Sequence, residues 1–279
     1  MTMKKFIYLN GKIQDINKPA VQVNDIGILR GYGVFDFMRT YNGRVFHWED
    51  HFKRFANSAR ALSLKLPVGK DTIKRQIALL AKKNHCEKED YSIRLVLTGG
   101  PTDDGMTYKK PTFAILLEDI YDFPKALYRD GAKLISFEYE RLLPESKNNN
   151  YIWAIKHGSL KKKKGAIEVL YTADGKILEC STANFFIFKG ATLITAKGGV
   201  LKGITRKMVL KLARGQFKVE ERDIKLSDLD SASEAFVTGT NKLIMPVIAV
   251  DGKKIGHGKV GENTKWLMVK FKEYTEKYK

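Results

Sequence analysis

The chain has 279 residues, 43% of them hydrophobic, which excludes a disordered protein and allows one large or two modest domains. Its 50 lysines and arginines exceed its 31 aspartates and glutamates, which gives a formal charge of +19. Because the basic residues are scattered and mostly lysines, they indicate a solvated surface rather than a nucleic-acid interface.

The first 117 residues predict a domain that mixes helices and strands. The dipeptides Asn10-Gly11 and Asn42-Gly43 lie between apolar stretches and are typical of hairpin turns. Two amphipathic helices and two strands follow the hairpins, at residues 47–62, 71–83, 91–100 and 111–119. Asp71 is the expected N-cap of the second helix.

Residues 118–124 (EDIYDFP) predict a linker, and residues 125–279 predict a second domain. That domain is rich in strands, with hairpin turns expected at Asp174-Gly175 and Lys189-Gly190. Its helices are predicted at residues 203–216 and 263–277. Strands exceed the needs of a doubly wound sheet and helices interrupt them irregularly, so we predict an α+β (mixed α/β) fold in two domains.

Cellular location and metal binding are predicted from what the sequence lacks. The two cysteines, Cys86 and Cys180, are too few for a disulfide framework and form no CxxC motif. No apolar run approaches the roughly 20 residues of a membrane span, and the apolar stretch near the N-terminus is too short for a signal peptide. The histidines have no metal-ligand spacing. We therefore expect a cytoplasmic protein that binds neither a membrane nor a metal.

Five short motifs contain residue types that bind or react with ligands. Lys147 lies in PESKNNNYIWAIK, before asparagines and aromatics, and lysine is a covalent catalyst in suitable surroundings. Arg54 on an apolar helix face, Thr205 at the helix start LKGITRK and the VTGTN turn are all able to bind a phosphate. Glu179 ends a strand before CSTANFF. Taken singly, each motif fits an ordinary surface residue, helix start or turn as well.

Taken in order, these motifs resemble the class IV family of pyridoxal-phosphate aminotransferases. The resemblance is carried by GYGVFDFMRTYNGRVFHWEDHFKRF, ECSTANFFIF, LKGITR and VTGTN, and it runs from NGKI at Asn10 to the final helix. It implies a smaller N-terminal α+β domain, a larger C-terminal domain with a pseudo-barrel, and pyridoxal 5'-phosphate in the interdomain cleft. It also implies a homodimer.

The resemblance assigns a role to each matching residue. Lys147 matches the catalytic lysine, which holds the cofactor as an internal aldimine and later carries a proton. Glu179 should accept a hydrogen bond from the pyridine nitrogen. The other residues expected to bind the cofactor are Arg54, Ile204, Thr205 and Thr240 at its phosphate, Leu201 against its ring and Tyr151 at its ring hydroxyl.

The resemblance also suggests which amino acid is the substrate. The expected substrate residues are Phe35, Arg39, Arg94 and Asn241. The arginine that D-amino acid aminotransferases carry before the glycine of TGG is absent, and Arg94 substitutes only if it points inward. Phe35, with Tyr121 and Phe123, favours an apolar amino acid, so the resemblance favours a branched-chain aminotransferase acting on an amino acid and a 2-oxo acid.

Alternatives remain open at the level of the sequence. The motifs also fit an aminodeoxychorismate lyase and a D-amino acid aminotransferase. Lys242, where the family has small residues, either adds charge for an anionic substrate or points to solvent. A catalytically lapsed, basic interaction protein is the non-enzyme alternative, which the joint presence of Lys147, Glu179 and Arg54 disfavours.

Overall fold

The computed structural model describes residues 2–18 and 21–278, which form two compact units. Unit 1 comprises the described residues of Met1–Tyr121, Ser146–Asn150 and Tyr278–Lys279. Unit 2 comprises Asp122–Glu145 and Tyr151–Lys277. Both units combine helices with sheets, which confirms the predicted α+β class. No helix in the described residues is long and apolar enough to cross a membrane.

Unit 1 is an antiparallel sheet with helices packed on it. Its elements are β1 (Phe6–Leu9), β2 (Lys12–Asp15), α1 (Ile26–Arg30), β3 (Gly33–Tyr41), β4 (Arg44–Val45), α2 (Trp48–Ala61), α3 (Lys70–Lys83), β5 (Tyr91–Thr98) and β6 (Thr112–Asp119). Among the described residues, the sheet has six strands in the order β2-β1-β6-β5-β3-β4. Helices α2 and α3 contribute Phe55, Ile73 and Leu80 to a core shared with Ile93 and Ile115 of the sheet.

The predicted hairpins of unit 1 are confirmed. Asn10-Gly11 joins β1 to β2, and Asn42-Gly43 joins β3 to β4. Both residues of each turn have positive φ angles, as a two-residue hairpin turn of this kind requires. The predicted N-cap at Asp71 is wrong, because Gly69 has the extended backbone of the cap. Asp71 lies instead in the first turn of α3, where its charge favours the positive end of the helix dipole.

Unit 2 contains the remaining elements. They are α4 (Lys125–Asp130), β7 (Ala132–Glu138), α5 (Ile152–Lys156), α6 (Gly158–Lys163), β8 (Glu168–Ala173), β9 (Lys176–Cys180), β10 (Asn184–Lys189), β11 (Thr192–Thr195), α7 (Ile204–Ala213), β12 (Lys218–Glu221), β13 (Ile224–Lys225), α8 (Asp228–Ser231), β14 (Glu234–Gly239), β15 (Leu243–Val250), β16 (Lys253–Lys254) and α9 (Glu262–Glu276). A turn at Asp174-Gly175 joins β8 to β9, as predicted. The turn between β10 and β11 is Gly190-Ala191, one residue after the predicted Lys189-Gly190, because Lys189 still pairs with Thr192.

Six strands of unit 2 close into a ring. The order β9-β8-β7-β15-β14-β10 returns to its start because β10 also pairs with β9. The closing pair is Asn184 with Glu179. The ring confirms the pseudo-barrel that the resemblance implied, and it places Glu179 at the point of closure.

Candidate active site

The predicted site residues fall into two sets, one in each unit, and Lys147 belongs to unit 1. Its carbonyl accepts a hydrogen bond from Phe35 N at 2.9 Å, and Asn149 N donates to Gly33 O at 3.0 Å. Residues 147–149 therefore run antiparallel beside the start of β3. Lys147 N donates to Ser58 Oγ of α2 at 2.9 Å. The sheet and the helix together hold the lysine backbone in place.

The close approach of this segment requires glycine at position 33. A Cβ atom on Gly33 would lie 2.6 Å from Asn149 Nδ2 and 2.9 Å from Leu97 O. Only a residue without a side chain leaves room for both neighbouring segments. Gly33, the second glycine of the GYG motif, thus allows the segment that contains Lys147 to lie against β3.

The side chain of Lys147 lies beside an aromatic ring. Its Nζ is 4.5 Å from the centroid of Phe35, close enough for a cation–π interaction. Its positive charge is also among the causes that lower the pKa of His51, after burial and the charge of Arg54. The structure therefore groups Lys147 with Phe35 and with the α2 residues described next.

Arg54 projects from α2 onto a buried carboxylate. Its Nε lies 2.8 Å from Asp36 Oδ2 and its Nη2 lies 2.8 Å from Asp36 Oδ1. His51 Nδ1 lies 2.7 Å from the same Oδ1, and Asp36 is 0% exposed. Burial alone would raise the pKa of Asp36, but Arg54 and His51 outweigh it and lower that pKa. Burial also lowers the pKa of His51, so its imidazole is neutral near pH 7.

Sequence reasoning missed Asp36 and His51 as functional residues. A signal existed for Asp36, because it occupies an inward position of β3 between Val34 and Met38, where an acid needs a partner. For His51, the sequence showed only that the histidines lack metal-ligand spacing. The structure shows instead that both side chains orient Arg54.

The predicted substrate residues of unit 1, on β3 and β5, lie on the face of the sheet opposite to Asp36. Arg94 is held by Glu118, with Nε–Oε1 and Nη2–Oε2 distances of 2.6 and 3.1 Å. Its guanidinium also lies 4.7 Å from the ring centroid of Phe37 and 5.7 Å from that of Phe35. Arg39 lies further along the strand and stacks over Tyr41 at 4.5 Å. The structure brings Arg94 to Phe35 and gives Arg39 a different neighbour.

In unit 2, Glu179 is buried and held by three groups. Its Oε2 accepts hydrogen bonds from Asn184 Nδ2 and from Leu201 N, both at 3.1 Å. Its Oε1 lies 3.2 Å from Arg141 Nε. Asn184 Nδ2 also donates to Leu201 O at 2.8 Å, which fixes the backbone of Leu201.

Arg141 is a further residue that the sequence did not reveal. Besides facing Glu179, its guanidinium lies 5.0 Å from the ring of Tyr151 and 5.4 Å from that of Tyr171. It also donates to Ser181 O. The predicted ring-hydroxyl residue Tyr151 is thereby grouped with Glu179 through one arginine.

The start of α7 packs against the same group. A Cβ on its N-cap, Gly203, would overlap the side chain of Asn184. Ile204 and Thr205 are buried in the first turn, where backbone N–H groups have no intrahelical acceptor. These N–H groups and the Thr205 hydroxyl are suited to an anion.

Thr238 on β14 is a second threonine with a buried side chain. The hydroxyl of Thr238 is buried and has no hydrogen-bond partner within residues 2–18 and 21–278. Thr238 pairs across the sheet with Asn184, so both side chains lie on one face. The predicted residues Thr240 and Asn241 follow in the turn between β14 and β15.

Lys242 ends this turn, and it does not point to solvent. It is 8% exposed, and its Nζ lies 2.7 Å from Glu168 Oε1 and 2.7 Å from Thr182 Oγ1. Its charge is therefore balanced inside the protein. No cluster of three or more histidines, cysteines or acids able to hold a metal occurs in the part of the chain that the structure describes.

Comparison with known proteins identifies the family. Residues 33–250 match the model of the family described as amino-transferase class IV. A putative branched-chain-amino-acid aminotransferase of Methanocaldococcus jannaschii is 35% identical and covers 98% of this chain and 97% of its own length. A D-alanine aminotransferase of Listeria innocua is 28% identical over 94% of this chain and 93% of its own length.

Solved structures show the same fold. The branched-chain amino acid aminotransferase of Escherichia coli aligns with a TM-score of 0.89 at 24% identity, covering 97% of this chain and 94% of its own. The T.th. branched-chain enzyme with pyridoxamine 5'-phosphate aligns with a TM-score of 0.91 at 22% identity, covering 100% and 96%. The chain therefore belongs to the class IV aminotransferases, a family of transaminases that use pyridoxal 5'-phosphate.

Proposed function

We propose that this transaminase moves the amino group of a branched-chain or other apolar amino acid to a 2-oxo acid. The observation that carries the proposal is the neutralisation of two basic side chains. Arg94 is paired with Glu118, and Lys242 is paired with Glu168. A protein carboxylate already balances the charge of each cation, so neither adds a net positive charge for a second substrate carboxylate, which disfavours dicarboxylic substrates. The relative named as a putative branched-chain enzyme supports the same choice.

The donor and acceptor groups fit the family cofactor. The buried Thr238 hydroxyl without a partner in the described residues, the Thr205 hydroxyl and the first turn of α7 suit a phosphate. The buried carboxylate of Glu179 suits a protonated ring nitrogen, which donates a hydrogen bond to such an acceptor. We propose phosphate contacts for Arg54, Ile204, Thr205 and Thr240. When bound, pyridoxal 5'-phosphate supplies a carbonyl that captures the amino group and a ring that withdraws electrons.

Lys147 is proposed to hold the cofactor and to move a proton. Its Nζ accepts the proton released from the Cα of the amino acid. Because Phe35 N and Ser58 Oγ bind the backbone of Lys147, the side chain moves while the main chain stays fixed. This arrangement gives a flexible amine on a rigid base, which proton transfer between two carbons requires.

Glu179 is proposed to keep the ring nitrogen protonated by accepting its hydrogen bond. Arg141 lies beside Glu179 and balances the charge of the carboxylate that accepts this hydrogen bond. We further propose that Leu201 packs on the ring and that Tyr151 contacts its hydroxyl. Asn241 and Phe35 then face the substrate.

The family resemblance also suggests assembly and location. We propose a homodimer, because Leu142, Ile152 and Ile155 of unit 2 are 73%, 66% and 78% exposed and are apolar. We propose a cytoplasmic location, because both cysteines are unpaired and buried. The second candidate activity is a D-amino acid aminotransferase, which the 28% identical relative favours.

The test is the visible absorbance of purified protein with pyridoxal 5'-phosphate, before and after borohydride, for wild type, Lys147→Ala and Lys156→Ala. We expect a visible band that borohydride abolishes in the wild type, with the label on Lys147. The exposed Lys156 is the matched control and should keep both properties. Leucine, D-alanine and aminodeoxychorismate then distinguish the branched-chain enzyme from the D-amino acid enzyme and the lyase. A wild type that binds no pyridoxal phosphate would contradict the proposal.

A further inference from the structure

Lys242 and Glu168 form a buried ion pair within unit 2. Glu168 is 1% exposed, and its Oε1 lies 2.7 Å from Lys242 Nζ. The ammonium also donates to Thr182 Oγ1 at 2.7 Å. The carboxylate accepts hydrogen bonds from the hydroxyls of Ser181 and Thr182. Charge and hydrogen bonds are thus satisfied by protein groups, as a buried pair requires.

Lys242 lies in the turn that joins β14 to β15. The same turn contains Thr240 and Asn241, for which we propose contacts with the phosphate and the substrate. Two other groups hold Lys242. Its carbonyl accepts a hydrogen bond from Tyr128 at 3.3 Å, and its Nζ lies 5.2 Å from the ring centroid of Phe123. The turn is therefore fixed through this one lysine from several directions.

Glu168 contacts the connection that follows Glu179. Ser181 and Thr182, which donate to Glu168, lie between β9 and β10. The connection and the β14–β15 turn meet closely, since a Cβ on Gly239 would lie 3.2 Å from Thr182 O. The ion pair thus links the turn that carries Thr240 and Asn241 to the connection that directly follows Glu179 and β9.

We propose that Lys242 and Glu168 are positioning residues that hold the β14–β15 turn against the β9–β10 connection. The inference rests on the proposed function of Thr240 and Asn241. The pair fixes these two residues for the cofactor phosphate and the substrate carboxylate, without touching either ligand itself. A buried ion pair specifies the geometry of its neighbours more than it adds net stability, since apolar residues of similar volume replace such pairs at little cost.

The experiment compares wild type with Lys242→Met and the double variant Glu168→Gln/Lys242→Met. Lys242→Met leaves a buried carboxylate without its cation, so we expect a lower thermal midpoint. The double variant removes both charges at nearly constant volume, so its midpoint should return towards that of the wild type. Its Kd for pyridoxal 5'-phosphate and its KM for leucine should stay raised about tenfold, while kcat changes by less than about threefold.

The exposed pair Lys265 and Glu262 provides the matched control. Its Nζ–Oε1 distance is also 2.7 Å. The variant Glu262→Gln/Lys265→Met should leave Kd and KM unchanged. A double variant at 168 and 242 that keeps Kd and KM within about twofold of the wild type would overturn the inference and leave the pair a structural one.

A second variant, Lys242→Arg, tests the inference if the Lys242→Met variants do not fold. Lys242→Arg keeps the charge but alters the contact geometry, so a raised KM with retained folding is expected, and an unchanged KM contradicts positioning. A wild type that does not bind pyridoxal 5'-phosphate overturns the proposed function together with this inference. A wild type that binds it, beside an unaffected double variant, overturns the inference alone.

Discussion

The guanidinium of Arg54 is bound at two points by the carboxylate of Asp36, with Nε–Oδ2 and Nη2–Oδ1 distances of 2.8 Å each. Asp36 is fully buried on β3, and Arg54 lies on α2. The pair therefore couples the sheet and the helix of unit 1. It also fixes the direction of an arginine that we propose as a phosphate ligand, because a bidentate contact restricts guanidinium rotation.

We expect Asp36→Asn to lower the free energy of unfolding by about 3 kcal/mol, because the Arg54 guanidinium, whose side chain is only 11% exposed, loses its counter-charge. Affinity for pyridoxal 5'-phosphate should fall about tenfold as Arg54 loses its fixed direction. Urea unfolding and cofactor titration measure the two effects. Asp119→Asn is the control, since the side chain of Asp119 is 47% exposed in its pair with Lys4. Equal behaviour of the two variants would contradict a special role for Asp36.

Gly33→Ala tests the placement of Lys147. The added Cβ would meet Asn149 Nδ2 at 2.6 Å and Leu97 O at 2.9 Å, so the lysine segment must shift. We expect a loss of about 1–3 kcal/mol in unfolding free energy and about a tenfold fall in kcat. Gly215→Ala is the control, because a Cβ there meets nothing within 4 Å. Retention of wild-type kcat in Gly33→Ala would argue against this role.

Glu179→Gln keeps the size of the side chain and removes its charge. The amide binds a protonated ring nitrogen poorly, so we expect kcat to fall about 100-fold. The ring nitrogen of the bound cofactor should also lose its proton at a lower pH than in the wild type, and the visible absorbance reports this change. Glu140→Gln, at a residue on the same unit with no predicted role, serves as the comparison. A cofactor titration identical to that of the wild type would refute the assignment.

Glu118→Gln should change the substrate preference. It leaves the Arg94 cation beside Phe35 and Phe37 without its carboxylate partner. We expect kcat/KM for aspartate relative to leucine to rise about tenfold. The double variant Glu118→Gln/Arg94→Met should lose that gain. An unchanged ratio in the single variant would show that Arg94 lies away from the substrate.

Glu168 makes stability depend on pH. Burial raises its pKa, but Lys242 and hydrogen bonds from Lys242, Ser181 and Thr182 outweigh burial and lower the pKa from 4.5 to about 2. The ionised Glu168 therefore stabilises the folded state fully above pH 4.5, and this stabilisation is lost as the pH falls through 2. The loss amounts to about 3 kcal/mol.

Unfolding free energies of the wild type and Glu168→Gln/Lys242→Met between about pH 6 and pH 2 measure this contribution. The wild type should lose more stability on acidification than the double variant, because the variant has no carboxylate to protonate at position 168. Glu262→Gln/Lys265→Met should follow the wild type. Parallel curves for wild type and the 168/242 double variant would contradict the lowered pKa.

Local patterns in the sequence identified much of the fold. The hairpins at Asn10-Gly11 and Asp174-Gly175 follow from turn chemistry, and helix α2 follows from the spacing of its apolar residues. The domain limits 1–117, 118–124 and 125–279 stay a prediction. Tertiary contacts place the segment Ser146–Asn150 in unit 1, and no local sequence pattern predicted this position.

The order of the short motifs along the chain was sufficient to predict the family. Each motif consists of a few consecutive residues, so its chemistry is recognisable without the tertiary structure. Only the tertiary structure decided which charges are balanced. Asp36 meets Arg54, Arg94 meets Glu118, and Lys242 meets Glu168. Sheet pairing and helix packing bring these partners together across 18 to 74 residues, and spacing along a sequence does not encode such distances.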